Sequence, residues 1–308
     1  MSDPKIICMG EPMVEFNQVD DSGRYLFGHG GDTSNTAIAA ARAGASVGYF
    51  TALGADEFGD SFVRLWTENG VDASQVIRNA DAHTGVYFVT HGENGHVFSY
   101  LRKGSAASRV TPRDVPRAYI EQADILHVSG ISMAIGVDAC DAVLEAIDIA
   151  RAAGTKVSFD TNLRLKLWPI ERARALTEAA MRKADIALPG LEDAEQLVGI
   201  SDPDAIADHY LGLGAGVVAL TLGKEGCLVA TADERRRVPG ITVDAVDATG
   251  AGDTFDGNFL AEFHRHGDPF EAARYANAAA ALSTCGYGAV APMPWREKVL
   301  EALLRSGG

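Results

Sequence analysis

The chain has 308 residues, of which 47% are hydrophobic and 22% charged, and these proportions exclude disorder over any long stretch. Its 27 Lys and Arg face 42 Asp and Glu, and the net charge of -15 disfavours nucleic acid and anionic membranes as partners. No run reaches the roughly 18 apolar residues of a membrane helix, no secretory leader opens the sequence, and no CxxC pair occurs. We therefore expect a cytoplasmic protein with reduced core thiols at Cys8, Cys140, Cys227 and Cys285.

Apolar runs and amphipathic stretches alternate along most of the chain, a pattern typical of a mostly parallel sheet with helices on both faces. The predicted strands lie at residues 5–9, 47–53, 125–128, 156–160, 186–188 and 217–222. The predicted helices lie at residues 34–43, 58–68, 137–152 and 171–182. The fold class that this alternation predicts is α/β with one large core.

Two segments, residues 11–33 and 83–103, interrupt the alternation. Their strand-like stretches lie at residues 13–17, 85–90 and 96–101, and their turn-forming residues lie at 20–23 and 92–95. Because the chain has no Pro/Ser-rich linker and no internal repeat, we expect these strands to form a small sheet inserted beside the core of a single unit. The core then comprises residues 1–10, 34–82 and 104–308.

The run DATGAGDTFDG at residues 247–257 carries the chemistry. The apolar face of the helix that it opens is marked by Phe255, Phe259 and Phe263 at spacing i, i+4 and i+8, so Asp253 lies in the first helical turn. Glycines at such a position let backbone N–H groups approach a ligand, and the helix dipole there favours negative charge.

We therefore expect Gly250, Ala251 and Gly252 to form an anion hole for a phosphoryl group in flight, while Asp253 takes the proton of an attacking hydroxyl. The structural alternative is a tight turn in which Asp253 only complements the helix dipole, worth about 0.3–1 kcal/mol. Two glycines, two flanking threonines and acids at positions 247, 253 and 256 together favour the catalytic interpretation.

This run resembles the C-terminal signature of the ribokinase, or PfkB, family of carbohydrate kinases. The resemblance continues in GGDTSN at residues 30–35, TALGADEFG at residues 51–59 and TLGKEG at residues 221–226. It implies a ribokinase-like core of Rossmann type, a small β-sheet lid over the sugar, and phosphoryl transfer from MgATP with Asp253 as the general base. The inserted sheet would be that lid. An exposed face on this sheet would allow two copies of the chain to associate, so a homo-oligomer is an open alternative.

Within the family, YLRKGSAA at residues 100–107 and DTNLRLKLW at residues 160–168 are most similar to 2-keto-3-deoxygluconate kinases. The chemistry agrees, because an arginine binds a carboxylate bidentately and neutral sugars carry no such group. The resemblance implies sugar contacts from Gly31, Asn35, Tyr87, Tyr100, Arg102 and Arg164. All of these except Asn35 also have a structural explanation: a surface charge for the arginines, packing for the tyrosines and a turn for the glycine. The expected reaction phosphorylates the primary C6 hydroxyl.

For the nucleotide, the resemblance implies contacts from Asn162, Thr221, Gly223, Gly226, Gly250, Gly252 and Asn277. One departure concerns magnesium. Many relatives carry Asn-x-x-Glu, whereas Gly190 and Asp193 stand here, so Asp193 would act on the cation only through water. Asp247 and Thr249 match positions that support a monovalent cation in some relatives, and the sequence does not decide whether one binds.

Other nucleotide-binding and metal classes lack their motifs in this sequence. No GxxxxGK[ST], GxGxxG or HExxH occurs, which argues against a P-loop enzyme, a dinucleotide-dependent oxidoreductase and a zinc protease. Two alternatives stay open. One is a kinase for fructose, ribose or 2-keto-3-deoxygalactonate, and the other is a sugar-binding regulator without turnover on the same fold.

Overall fold

The computed structural model describes residues 4–20, 22–92 and 95–306. Its strands are β1 (Ile6–Met9), β2 (Met13–Gln18), β3 (Tyr25–Gly30), β4 (Val47–Phe50), β5 (Ala52–Gly54), β6 (Val71–Asp72), β7 (Ile77–Asn79), β8 (Gly85–Gly92), β9 (Gly95–Leu101), β10 (Ile125–Ser129), β11 (Lys156–Asp160), β12 (Ile186–Leu188), β13 (Val217–Thr221), β14 (Cys227–Ala230) and β15 (Arg235–Val238). Its α-helices are α1 (Asp32–Arg42), α2 (Glu57–Glu68), α3 (Arg117–Glu121), α4 (Gly130–Ala134), α5 (Val137–Ala153), α6 (Ile170–Met181), α7 (Leu191–Val198), α8 (Pro203–Leu213), α9 (Ala251–His266), α10 (Pro269–Ser283) and α11 (Arg296–Ser306).

The central sheet has nine strands in the order β15-β14-β13-β12-β11-β10-β1-β4-β6. The seven strands from β13 to β6 run parallel, and β14 and β15 add an antiparallel hairpin at one edge. Parallel strands are buried on both faces, which is why they read as continuous apolar runs such as Ile6–Met9. The predicted α/β class with a mostly parallel sheet is confirmed.

Helices cover both faces of this sheet, and alternate residues of each strand enter one of two cores. Ile7 belongs to the core that includes buried residues of α5, α6, α7 and α8, while Ile6 belongs to the core that includes buried residues of α1, α2, α9, α10 and α11. On the second face α1 and α9 approach very closely at Gly257, where an added Cβ would lie 2.3 Å from the carbonyl oxygen of Thr36. This close approach fixes the N-terminal turn of α9 against α1.

A separate sheet of four strands, in the order β3-β2-β8-β9, forms the small sheet that the sequence predicted. Strand β3 was not predicted, and it pairs antiparallel with β2 from Gln18↔Tyr25 to Met13↔Gly30. Of the two predicted turns, Asp21, Glu93 and Asn94 lie outside the described residues. Helix α1 begins at Asp32 rather than at residue 34, so the first lid segment passes into the core two residues earlier than expected.

Three other expectations are corrected. The strand predicted at residues 47–53 breaks at Thr51, whose hydroxyl donates to the Gly10 carbonyl at 2.7 Å, and β5 then pairs with β7 in a small parallel sheet. The hairpin of β14 and β15 was missed because RRRV at Arg235–Val238 reads as a charged surface segment. Cys285 is exposed, whereas Cys8, Cys140 and Cys227 are buried as expected.

None of the described helices combines the length and the apolar character that crossing a bilayer demands.

Candidate active site

The carboxyl ends of the parallel strands lie along the same side of the central sheet, and two cavities open over these strand ends. The larger, which we call the cleft, has a volume of about 720 Å³ and lies over the ends of β11, β12 and β13 and the start of α9. The smaller, which we call the lid cavity, has a volume of about 180 Å³ and lies between the small sheet and the N-terminal end of α1. Ligands of open α/β sheets bind at such strand ends.

The two cavities share a wall. The residues that line both are Phe98, Tyr100, Asn162, Arg164, Lys166, Thr249, Gly250 and Asp253. A group that passes from one cavity to the other therefore passes Asp253 and Gly250, which the sequence predicted as the base and as part of the anion hole.

The shared wall is built on the first turn of α9. Gly250 is the N-cap residue with φ 74°, a left-handed conformation that favours glycine. A Cβ added to Gly252 would meet no atom within 4 Å, so this position opens into the cleft. Since the first N–H groups of an α-helix have no partner within the helix, the amides of Gly252 and Asp253 are free to face an anion there.

Asp253 is held by α1. The side-chain amide of Asn35 donates to Asp253 Oδ2 at 2.8 Å, a contact between residues 218 positions apart. Burial, followed by the nearby Asp32 carboxylate, raises the pKa of Asp253 to about 7, and the Asn35 hydrogen bond and Arg164 oppose the rise. A carboxylate with a pKa near neutrality is suited to accept a proton.

Two buried acceptors in the lid cavity have no hydrogen-bond partner among the described residues. Asp32 Oδ2 accepts from the Ser129 hydroxyl and from Asn162 Nδ2 at 3.3 Å, but Asp32 Oδ1 has no partner. Asn35 Oδ1 has none either. Because buried polar atoms are normally hydrogen-bonded, these two oxygens are available to accept hydrogen bonds from a ligand or from water. Asp32 was not predicted as a site residue, although it stands in the GGDTSN motif.

Arg102 enters the lid cavity from the end of β9. Its Nε donates to Glu11 Oε2 at 2.8 Å, and the guanidinium and this carboxylate form a buried ion pair. The Ser105 hydroxyl donates to the other oxygen of Glu11. Glu11 is only 1% exposed, so this network fixes the orientation of the arginine. Sequence reasoning missed Glu11, whose partners are more than 90 residues away.

The small sheet carries a cross-strand row of three residues, two of which, Tyr87 and Tyr100, line the lid cavity. Glu15 on β2 pairs with Tyr87 on β8, which in turn pairs with Tyr100 on β9. The Tyr87 hydroxyl donates to Glu15 and is buried, whereas Tyr100 is 39% exposed and lines both cavities. Gly31, at φ 108°, packs so close to Glu11 and Pro12 that no side chain fits there.

Arg164, in the loop after β11, lies near Asp193 of α7. Arg164 Nη1 donates to the Leu163 carbonyl at 2.8 Å and lies 4.0 Å from Asp193 Oδ2, with half of the side chain exposed. Asp193 accepts from the Leu163 amide at 2.9 Å and lines the cleft. Burial raises the pKa of Asp193.

Two more carboxyls, Asp160 and Asp256, line the cleft in mutual contact. Burial and the charges of other carboxylates raise the pKa of both, and Asp253 is the carboxylate with the largest effect on Asp160. Two acidic groups this close favour a shared proton or a cation. Among the described residues, no group of three or more His, Cys, Asp or Glu is arranged to hold a metal ion unaided.

The predicted nucleotide residues are only partly brought together. Asn162 and Thr221 line the cleft, and Asn162 has φ 27°, a strained conformation of the kind found at functional sites. Gly223 and Gly226 are outside the cleft lining, in the turn after β13, where a Cβ on Gly226 would lie 2.2 Å from the Val238 carbonyl oxygen.

Asn277 also lies outside the cleft lining. Its side-chain amide donates to the carbonyls of Val238 and Pro239 at 2.8 and 3.3 Å, so it ties α10 to the end of β15.

The loop before α9 is organised by Asp247. Its Oδ1 accepts from the amide and the hydroxyl of Thr249 at 2.9 and 2.6 Å, and its Oδ2 accepts from the Gly288 amide at 2.9 Å. This acid of the signature therefore holds the loop, while Thr249 lines both cavities.

Known proteins resemble this chain over nearly its whole length. The family model described as pfkB family carbohydrate kinase matches residues 3–296. The 2-dehydro-3-deoxygluconokinase of Bacillus subtilis (strain 168) is 33% identical over 306 residues, covering 96% of this chain and 94% of that protein. Fructokinase-1 of Oryza sativa subsp. japonica is 32% identical over 316 residues, covering 97% of each. The crystal structure of fructokinase with bound ATP from Xylella fastidiosa has a TM-score of 0.92 at 27% identity, covering 98% of this chain and 99% of that one.

Proposed function

Because the chain belongs to the pfkB family of carbohydrate kinases, we propose that it phosphorylates the C6 hydroxyl of 2-keto-3-deoxygluconate with ATP. The products are 2-keto-3-deoxy-6-phosphogluconate and ADP. The observation that carries the proposal is the shared wall, at which a carboxylate and a helix N-terminus lie between a large cleft and a small cavity that two arginines line.

The cleft suits the polyphosphate of ATP. The free amides at the start of α9 face it, and the open position at Gly252 allows a phosphate to approach the backbone. Thr221 and Asn162 line the same cleft. The terminal phosphoryl group would then lie beside Asp253.

The lid cavity suits an acidic sugar. Arg102 and Arg164 supply positive charge for the carboxylate, and Arg102 is pre-oriented by the buried Glu11. The unpartnered oxygens of Asp32 and Asn35 would accept hydrogen bonds from sugar hydroxyls. These contacts would direct the primary hydroxyl toward Asp253 on the shared wall.

The reaction then follows from the positions of these groups. The sugar oxygen attacks the terminal phosphorus, its proton passes to Asp253, and the bond to the bridging oxygen of ADP breaks. The amides at the start of α9 stabilise the charge that spreads over the phosphoryl oxygens. Asn35 holds the carboxylate of Asp253 in position at 2.8 Å.

Magnesium fits the cleft through carboxylate oxygens. Asp160, Asp193 and Asp256 line it, and oxygen ligands are those that Mg²⁺ prefers. Since the described residues offer no complete metal cluster, most ligands would come from ATP and water. When bound, the cation neutralises phosphate charge, and the short Asp193 in place of glutamate would act through a water.

Fructose is the second candidate, since fructokinase-1 of Oryza sativa subsp. japonica is nearly as similar to this chain as the 2-dehydro-3-deoxygluconokinase. The two arginines of the lid cavity favour the acid, because a neutral sugar carries no carboxylate for their guanidinium groups to bind.

The proposal is tested by ADP release with MgATP and 2-keto-3-deoxygluconate, 2-keto-3-deoxygalactonate, fructose or ribose at matched concentrations. We expect the highest kcat/KM with the keto-deoxy acids. A higher value for fructose or ribose would refute the acidic substrate while keeping the kinase. Absence of turnover with all four would instead favour a sugar-binding regulator.

A further inference from the structure

The shared wall carries three charged side chains: Asp253, Arg164 and Lys166. Any group that crosses between the two cavities passes these three. Asp253 is the proposed base, and Arg164 is the proposed partner of the sugar carboxylate. The proposed reaction assigns no role to Lys166.

The charges of the cleft call for a further cation. Its lining carries four carboxyls, those of Asp160, Asp193, Asp253 and Asp256, and only two basic side chains. The polyphosphate of ATP brings more negative charge into this acidic lining than one magnesium ion balances, and the remainder must be balanced where the phosphoryl group is in flight. The cation nearest to the path therefore has the largest effect on the transition state.

Of the two basic side chains, Arg164 is already engaged. It donates to the Leu163 carbonyl and lies 4.0 Å from Asp193. Lys166, in contrast, is exposed and forms no hydrogen bond or ion pair within residues 4–20, 22–92 and 95–306. A lysine ammonium is a compact charge on a flexible stem, and it can follow a moving phosphoryl group better than a fixed guanidinium.

We propose that Lys166 is a catalytic residue whose ammonium contacts the phosphoryl oxygens during transfer. The inference rests on the proposed kinase reaction and adds to it no covalent step. The sugar oxygen–phosphorus bond forms, the bridging bond to ADP breaks and the hydroxyl proton goes to Asp253, while Lys166 stays protonated throughout.

Kinetics of Lys166→Met provide the first test. We expect kcat to fall about 100-fold, the size of effect seen when one transition-state donor is removed, while KM for the sugar changes less than about twofold. Lys166→Arg should recover at least about a tenth of the wild-type kcat, because it retains the charge. Lys103→Met is the matched control, since Lys103 is exposed and lines neither cavity. Its kcat and its KM for the sugar should stay within about twofold of the wild-type values.

The second test uses a planar phosphoryl mimic and does not depend on turnover. MgADP with aluminium fluoride and saturating sugar should inhibit the wild type tightly, and Lys166→Met should weaken that inhibition at least about tenfold while MgADP alone binds equally. Equal inhibition of both proteins would overturn the proposal. So would a variant that loses only affinity for acidic sugars, because Lys166 would then bind the sugar carboxylate.

These results are separable from the fate of the proposed function. If the wild type turns over a neutral sugar instead, the proposal of an acidic substrate is refuted. The Lys166 test still applies, because kcat and inhibition are measured with whichever sugar turns over. A wild type that turns over no sugar would overturn both proposals together, whereas an active Lys166→Met would overturn only this one.

Discussion

The cleft and the lid cavity are built by different means. The anion-binding end of the cleft depends on backbone: Gly250 in a left-handed conformation, the free amides of α9 and the open position at Gly252. The lid cavity depends on side chains that buried partners hold, such as Arg102 on Glu11 and Tyr87 on Glu15. Under the proposed function, phosphoryl transfer depends mainly on the backbone of the core, and sugar choice depends on side chains of the lid cavity. We therefore expect substitutions in the lid cavity to change sugar preference and substitutions at the start of α9 to change the rate of transfer.

The largest effect is expected at the shared wall. Asp253→Asn should lower kcat by at least about 1000-fold, because the amide cannot accept the hydroxyl proton while its size and its contact with Asn35 are kept. Steady-state ADP release measures the loss. A variant that retains a tenth of the wild-type kcat would remove Asp253 as the base.

The backbone character of the cleft is tested by Gly252→Ala. The added methyl meets no protein atom within 4 Å, so the melting temperature should not change, yet it stands where a phosphate would approach, and kcat/KM should fall about 100-fold. Gly212→Ala is the control, because this glycine of α8 also has open space around it and is remote from the cleft. Full activity of Gly252→Ala would place the phosphates elsewhere.

The side-chain character of the lid cavity is tested by Arg164→Ala. We expect KM for an acidic sugar to rise about 30-fold, since a hydrogen bond to a charged group is worth about 1.5–3 kcal/mol, while KM for fructose changes little. Initial rates measured over a range of concentrations of each sugar give the two KM values. An equal rise for both would rule out a carboxylate contact.

The pH profile should report the base. Asp253 has a raised pKa of about 7, so the reactive ionised form is lost as pH falls, and kcat/KM should drop about tenfold for each pH unit below 7 and level off above it. Arg164 holds this pKa down, so in Arg164→Ala the rising limb should move to higher pH. A flat profile between pH 5.5 and 8 would contradict the assignment.

The smallest effect concerns stability. Because folding raises the pKa of Asp253 above its ordinary 3.8, the ionised carboxylate destabilises the folded state above pH 7 and has no such effect below pH 4. Asp253→Asn should therefore stabilise the fold by about 1–2 kcal/mol at pH 8, allowing for solvent screening of this half-buried group. Urea unfolding of both proteins at pH 8 and pH 4 measures the difference in the free energy of unfolding. Equal free energies of unfolding for wild type and variant at pH 8 would contradict the prediction.

Local pattern was enough to predict six of the seven parallel strands, all but the two-residue β6, and the start of α9. Burial on both faces and the spacing of Phe255, Phe259 and Phe263 can be read from neighbouring residues. The hairpin of β14 and β15 was not predicted from local pattern, because an edge strand such as Arg235–Val238 carries charge that protects the sheet edge. Sequence motifs pointed to Asp253 and Asn35 as site residues, and the fold brings these two into contact. Glu11 and Asp32 were missed because their roles depend on partners such as Arg102 and Ser129, which only the fold brings near.

The most direct test of the division between core and lid is calorimetric titration of 2-keto-3-deoxygluconate into Asp253→Asn and into Arg164→Ala, each with MgADP present. We expect Asp253→Asn to bind the sugar within about threefold of wild type although it does not turn over, and Arg164→Ala to bind at least about tenfold more weakly. Loss of sugar binding in Asp253→Asn together with unchanged binding in Arg164→Ala would contradict the account.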